Sequence, residues 1–288
     1  MYTDDIFLFH DEVKDDLKFY GISSVRMKIM ISLNDGPKKT KQLRKLTGIQ
    51  PSTIIHGINE LVKQKIVLKE EDTYYLSEIG RILVPKYIDM IKSMVILKNS
   101  QNLWLKHEID AIPHHLLMEI GDLSNSQLIE SDNTDIFKTH GNFVNMVSQS
   151  ENIRGVSTVF HPDFVGVFRK IIDKNSEIKV ELILTDEVLK KTIMSIHKTN
   201  LKDLIRWVSK KNLILWRLNE DAKVGFTVTD NFLSLGLYKK NGTYDSLRDL
   251  ISEHPDAIAW GNKLFDYYQK KADKIELKRL DKLISILI

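Results

Sequence analysis

Helix breakers set close together between residues 34 and 51 constrain this chain more than any other feature. Upstream of them Val25, Ile29 and Leu33 recur four residues apart, with Met30 beside them, the spacing of a buried helical stripe. Asn34-Asp35-Gly36-Pro37 ends that helix, glycine turning the chain and proline forbidding its continuation. The next helix has little room. Thr40 is positioned to cap it, and Leu43 and Leu46 are expected to point inward. Gly48, within Thr47-Gly48-Ile49, can take the left-handed backbone of a tight turn, and Pro51 suits the first turn of a third helix. Ile54, Ile58 and Leu61 mark the inner face of that helix at i, i+4 and i+7. Residues 66–69 and 73–76 then read as two strands joined by Glu70-Glu71-Asp72, with Ser77 placed to cap a following helix.

Charge sharpens this reading. The net charge of +3 conceals a division: residues 1–22 carry six acidic residues against two lysines, and residues 23–69 carry ten lysines and arginines against two acidic residues, a local +8. So basic a block suits a polyanionic partner. Charge alone fits a solvated lysine-rich face equally well; the helix order favours the polyanion. The absence of cysteine removes disulfides, thiolate metal sites and cysteine nucleophiles together. An acidic start without a long apolar stretch, and no uninterrupted apolar run near about eighteen residues, lead to the expectation of a cytoplasmic protein with no membrane span.

Helix, short helix, tight turn and helix is the geometry that carries a recognition helix into a major groove. The stretches TKQLRKLTGIQPSTIIHGINELVKQKIV and YYLSEIGRIL, spread over about residues 20–84, resemble the winged-helix regulators of the ArsR-like type. That resemblance implies double-stranded DNA as partner, although protein-binding winged helices also occur. It implies that Ser52, Thr53, His56 and Asn59 read bases, with Asn59 suited to adenine. Lys41, Arg44, Lys63 and Lys69 would hold phosphates, and Tyr74 would reach the adjacent backbone from the wing. Ile55 stands where a polar residue is often found, either to touch a thymine methyl or to pack.

Ile79, Ile82, Leu83, Ile88, Ile91, Met94 and Val95 make the following segment strongly apolar, and Pro85 is expected to kink or split its helix. Because one winged helix offers one recognition helix, such modules commonly pair on two half-sites. The segment therefore reads either as the seam of a homodimer or as the floor of a second domain. His114 and His115 are adjacent, about 100° apart on a helix, and do not form a metal pair. No metal or other cofactor is expected.

From about residue 150 the pattern becomes strand–helix alternation. Residues 153–160 read as a strand and 162–174 as a helix turning Phe164, Val167, Phe168 and Ile171 inward. Residues 178–184 form a second strand ending at Thr185-Asp186, which can cap a helix from Glu187. Residues 213–218 are a further strand, 224–229 and 232–238 a hairpin, and Asn241-Gly242 a turn. A long helix from Pro255, carrying Ile258, Leu264, Phe265 and then Ile275, closes the chain. The expected architecture is an α+β winged helix-turn-helix over residues 1–84, a helical connector over 85–125 and an α/β domain over 126–288.

WLKHEIDAIP, IRGVSTVFHPDF, VELILTDEV, VGFTVTDNFLSLGLYKKNGTYD and AIAWGNKLFDYYQKKA, in that order over about residues 103–273, resemble the effector domain of archaeal regulators associated with control of methanogenesis. Similar domains follow a winged helix in the sugar-responsive TrmB regulators, whose sensor resembles half of a phospholipase-D fold. The resemblance implies a phospholipase-D-like domain that binds a small-molecule effector. Ligands of open α/β sheets gather beyond the carboxyl ends of the strands. That rule selects Phe160, His161, Thr185, Asp186, Trp216 and Arg217, with Trp260 on the last helix as a closing group. The tryptophans fit a core as readily, and Asp186 a helix cap. Phospholipase-D chemistry needs a histidine with a lysine two residues on. None of the nine histidines has one: His161 precedes Pro162-Asp163, and His197 precedes Lys198-Thr199. Without that cation the transition-state charge is poorly stabilised, so no catalytic residue is assigned.

Overall fold

The computed structural model describes residues 3–132, 134–135, 137–175, 177–196 and 201–287. They divide into two compact units, residues 1–91 and 92–288. The first contains α1 (Thr3–Ile22), α2 (Ser24–Asn34), β1 (Lys38–Lys39), α3 (Thr40–Thr47), α4 (Pro51–Lys63), β2 (Val67–Glu70) and β3 (Thr73–Leu76), and α5 (Glu78–Asn99) runs through the division. β1, β3 and β2 form an antiparallel sheet in that order, with Lys69 opposite Tyr74 and Lys38 on its other side.

Local chemistry accounts for these elements. Ser23 Oγ accepts from Arg26 N–H at 3.3 Å to start α2. Gly48, at φ +70°, ends α3 by donating to the Arg44 carbonyl. Ser77 Oγ accepts from Gly80 N–H at 3.1 Å and donates to the Lys65 carbonyl, joining the start of α5 to the sheet. Gly80 has no alternative there: a Cβ would stand 2.4 Å from the Ile66 carbonyl oxygen. Ile29, Met30, Leu33, Leu43, Ile54, Ile58, Leu61 and Leu76 build the core. Three expectations need correction. Thr40 is the first residue of α3 rather than its cap, and the preceding Lys39 N–H is taken by Gln42. Leu46 is 61% exposed, because the inner stripe of so short a helix runs from Leu43 to Thr47. Helix α5 continues through Pro85 without a split.

The second unit holds α6 (Gln101–Lys106), α7 (His114–Met118), a 3-10 turn (Ile120–Leu123), β4 (Gln127–Glu130), α8 (Lys138–Val147), β5 (Asn152–Ser157), α9 (Pro162–Lys174), β6 (Lys179–Thr185) and α10 (Asp186–Ser195). It continues with α11 (Leu201–Ser209), β7 (Leu213–Leu218), β8 (Val224–Thr229), β9 (Leu233–Leu237), β10 (Arg248–Ser252), α12 (Pro255–Gln269), β11 (Ala272–Lys274) and α13 (Leu277–Leu287). One sheet takes the order β11-β7-β6-β5-β8-β9-β10-β4. β5, β6 and β7 are parallel, joined by crossover helices, and the flanking pairs are antiparallel.

Strand parity assigns each side chain to one of two cores. Val156, Ile183, Leu218, Phe226 and Leu235 pack with Trp260, Leu264 and Phe265 of α12. Ile153, Val180, Leu184, Leu213 and Leu215 face the other way, toward α8, α9, α10, α11 and α13. Ile96, Leu103, Ile112, Leu116 and Leu123 belong to the α12 core, so the unit begins within the expected connector, at residue 92 instead of 126. The long closing helix is interrupted: β11 pairs with β7 between α12 and α13.

Candidate nucleic-acid interface and interior cavity

Helix α4 buries Ile54, Gly57, Ile58 and Leu61 and turns Ser52, His56, Asn59 and Lys63 to solvent at i, i+4, i+7 and i+11, with Thr53 beside them. Gly57 lets α2 approach closely: a Cβ would sit 3.0 Å from Ile29 Cδ1. Lys41 and Arg44 on α3 and Lys69 on β2 are exposed as well. Ile55 is 44% exposed, leaving it able to meet an apolar group outside. Tyr74 departs from expectation. It is 7% exposed, because β3 alternates and sends Tyr74 and Leu76 into the core, so its ring cannot reach outward. Lys69 Nζ instead lies 5.9 Å from the centre of that ring.

The basic block is not uniformly available. Arg26 donates through Nε and Nη2 to the Phe19 carbonyl, pairs with Glu60 at 2.9 Å, and lies over the Phe19 ring. Its charge is used to tie α1, α2 and α4 together. Sequence counting included it with the surface cations, and only its pairing separates it from them.

In the second unit, a cavity of about 220 Å³ lies on the sheet face covered by α8–α11. Phe143, Phe160, Phe164 and Phe168 line one side of it. The sheet supplies a different wall. Gly225, Thr227, Ser234, Gly236 and Asp249 share one face of β8, β9 and β10 by register, and the apolar residues between them face α12. Ser234 Oγ donates to Asp249 Oδ2 at 2.9 Å, and burial raises the Asp249 carboxyl to about 7. Tyr244, which also lines the cavity, lies against the paired glycines Gly225 and Gly236. Burial, with the charge of Asp249 next, pushes its hydroxyl well above the ordinary range. The site is an apolar chamber with a buried polar end, suited to a molecule of mixed character.

Of the effector residues expected from sequence, Phe160 and His161 line this cavity; Thr185, Asp186, Trp216, Arg217 and Trp260 do not. Parity explains the tryptophans. Trp216 projects to the α12 face, where its Nε1 donates to Glu181 at 2.7 Å. Trp260 is fully buried in the α12 core and donates to the Leu116 carbonyl. Thr185 precedes α10, and Asp186 in its first turn pairs with Lys190 and with Arg217, interactions that hold its carboxyl below the usual range. Sequence reading missed His140, Thr227, Ser234, Tyr244 and Asp249. His140 stacks on His161 with ring centres 4.4 Å apart, and both stack on Phe164. His197 lies outside the described residues. No helix among the described residues is long and apolar enough to cross a membrane.

Comparison with known proteins follows the same division. Residues 14–96 match the N-terminal domain of methanogenesis regulatory protein FilR1, and residues 136–271 match the middle domain of FilR1. FilR1 of Methanothrix harundinacea (strain 6Ac) is 24% identical over 261 residues, which are 90% of this chain and 58% of that protein. The chain thus spans less than two thirds of the length of this relative. Among solved structures, TrmBL2, described as an archaeal chromatin protein with a novel mode of DNA binding, aligns with 90% of this chain and 98% of its own at 12% identity and a TM-score of 0.41. The transcriptional repressor BigR from Xylella fastidiosa aligns with 32% of this chain and 96% of its own at 21% identity and a TM-score of 0.29. The two domain matches succeed each other along the chain and point to the same regulatory protein, FilR1.

Proposed function

We propose that this protein is a cytoplasmic, sequence-specific DNA-binding transcriptional regulator whose second unit senses a small molecule. One observation carries the DNA reading: the outer stripe of α4, Ser52, His56, Asn59 and Lys63, is polar and exposed between the exposed cations of α3 and β2. Bases would be read from this stripe and phosphates held by Lys41, Arg44, Lys63 and Lys69. The names of the relatives agree with that role. The ArsR-like character of the first unit rests on its element order. The phospholipase-D-like character of the second rests on sequence resemblance and on its parallel β5-β6-β7 centre. Its role is sensing and not catalysis, in line with the missing histidine–lysine pair. The effector would occupy the cavity, its apolar body among the phenylalanines and a polar group near Asp249.

The active form would be a homodimer. Exposed Ile79, Ile82, Met90 and Met94 on α5, and Phe7, Leu8 and Phe9 on α1, support a contact with a second copy. A monomer by light scattering at micromolar concentration would remove that part. The DNA reading is tested by fluorescence anisotropy with random and genome-selected duplexes over a salt series. Expected is binding to random duplex that weakens steeply with salt, with a tighter class among the selected fragments. Salt-independent binding, or none, would defeat it.

A further inference from the structure

We infer that His140, His161 and Asp163 form a site for a divalent transition metal of the zinc type at the rim of the cavity. The residues come from α8, from the position before α9 and from the first turn of α9. Asp163 Oδ2 lies 3.7 Å from His140 Nε2 and 3.9 Å from His161 Nδ1, and the candidate ligand atoms all lie within 4.8 Å of one another. Those gaps are too long for hydrogen bonds. Donors held about 2.1 Å from a tetrahedral zinc stand roughly 3.4 Å apart, so both carboxylate–imidazole gaps need contract by only about half an ångström or less.

A second observation points the same way. His161 Nδ1 is shut off from solvent and has no hydrogen-bond partner in the protein. A buried ring nitrogen left in that state is unfavourable, and coordination would satisfy it. His140 and His161 stack on one another, 20° from parallel, and on Phe164, so the rings are held side by side and one must tilt for both ring nitrogens to face a single ion. Two imidazoles and one carboxylate suit zinc, cobalt or nickel better than calcium or magnesium, which prefer oxygen throughout. Three protein ligands leave one coordination position open. Because His140 and His161 also line the cavity, a donor atom of a molecule held there could fill it. Metal binding itself does not depend on the sensing role, and the two can fail separately.

The test is titration of the full chain, freed of metal by chelation, with Co²⁺ and then Zn²⁺ and no other ligand. Binding is read from the visible ligand-field bands of cobalt and from the zinc-dependent rise in unfolding temperature. Expected is one equivalent per chain with tetrahedral-type bands, displaced by zinc. His140→Gln and His161→Gln should each weaken binding at least tenfold and abolish most of the thermal gain, while unfolding like the parent without metal. Asp163→Asn should weaken it less. Replacing His114 and His115 together should change nothing. The site is refuted by no saturable binding, by binding that survives both His140→Gln and His161→Gln, or by equal loss in the His114/His115 control. Metal binding with no response to any cavity ligand would leave the metal site standing and count against the sensor.

Discussion

Helix α4 and the β8–β10 wall of the second unit both interleave polar and apolar residues, and they put the polar face to opposite uses. On α4 the polar stripe meets solvent, and Ser52, His56 and Asn59 are exposed there. On the sheet, Thr227, Ser234 and Asp249 are buried, and the polar face turns inward onto the cavity. Periodicity tells which residues share a face; it does not tell what medium that face meets. An exposed polar stripe can be altered with little effect on the fold, whereas a buried one is bound up with stability.

Substitutions can break or sharpen that contrast. The largest effect is expected beneath the buried face: Trp260→Ala should destabilise the second unit by about 3–5 kcal/mol in denaturant unfolding, because a fully buried indole is replaced by a void. Asp249→Asn should come next. With its folded pKa near 7, against about 4 for an ordinary aspartate, Asp249 keeps its proton in the folded state after the unfolded chain has lost it. Its contribution to stability therefore declines as pH rises from about 4 to about 7, by a few kcal/mol in all. The asparagine variant should flatten that segment of the unfolding curve; an unchanged slope would mean that the carboxyl is solvated. On the exposed face the order of effects reverses. Asn59→Ala should leave stability within about 0.5 kcal/mol yet cost about 1–3 kcal/mol at a preferred duplex and almost nothing at random sequence. Replacing Arg44 and Lys63 together by alanine should weaken every duplex alike and reduce the salt slope by about 2. Tyr74→Phe should be the mildest, leaving DNA affinity unchanged within error; a marked loss would mean that the wing opens in the complex.

The first unit was far more legible than the second. Its helix ends are written in local chemistry, by Gly36, Gly48 and Pro51, and its stripes are long enough to read. The errors fell where an element is very short, as at Leu46, or where alternation in a four-residue strand fixes the inner side, as at Tyr74. In the second unit the parallel strands and α9 were visible in the sequence. β4 and β10 were not, since their few apolar residues sit among polar and charged ones and acquire meaning only through distant partners. The cavity was hidden for the same reason. VGFTVT and LSLGL look like strands with one face in solvent, but both lie inside, and small or polar residues on a buried face are the trace a chamber leaves. His140 and His161 are twenty-one positions apart in sequence, so no spacing rule could join them.

Gly225 and Gly236 stand opposite each other on β8 and β9, and together they leave a patch of sheet with no side chains. The Tyr244 ring fills it so closely that one methyl group on Gly236 would fall 2.1 Å from the phenol oxygen. One wall of the chamber is thus a tyrosine resting on bare backbone, with no slack behind it. Any molecule admitted must fit in front of that plate. An alanine at position 236 would force the phenol off this patch and so reshape the room in front of it. The measure of what can be accepted is set in part by two residues that have no side chain at all.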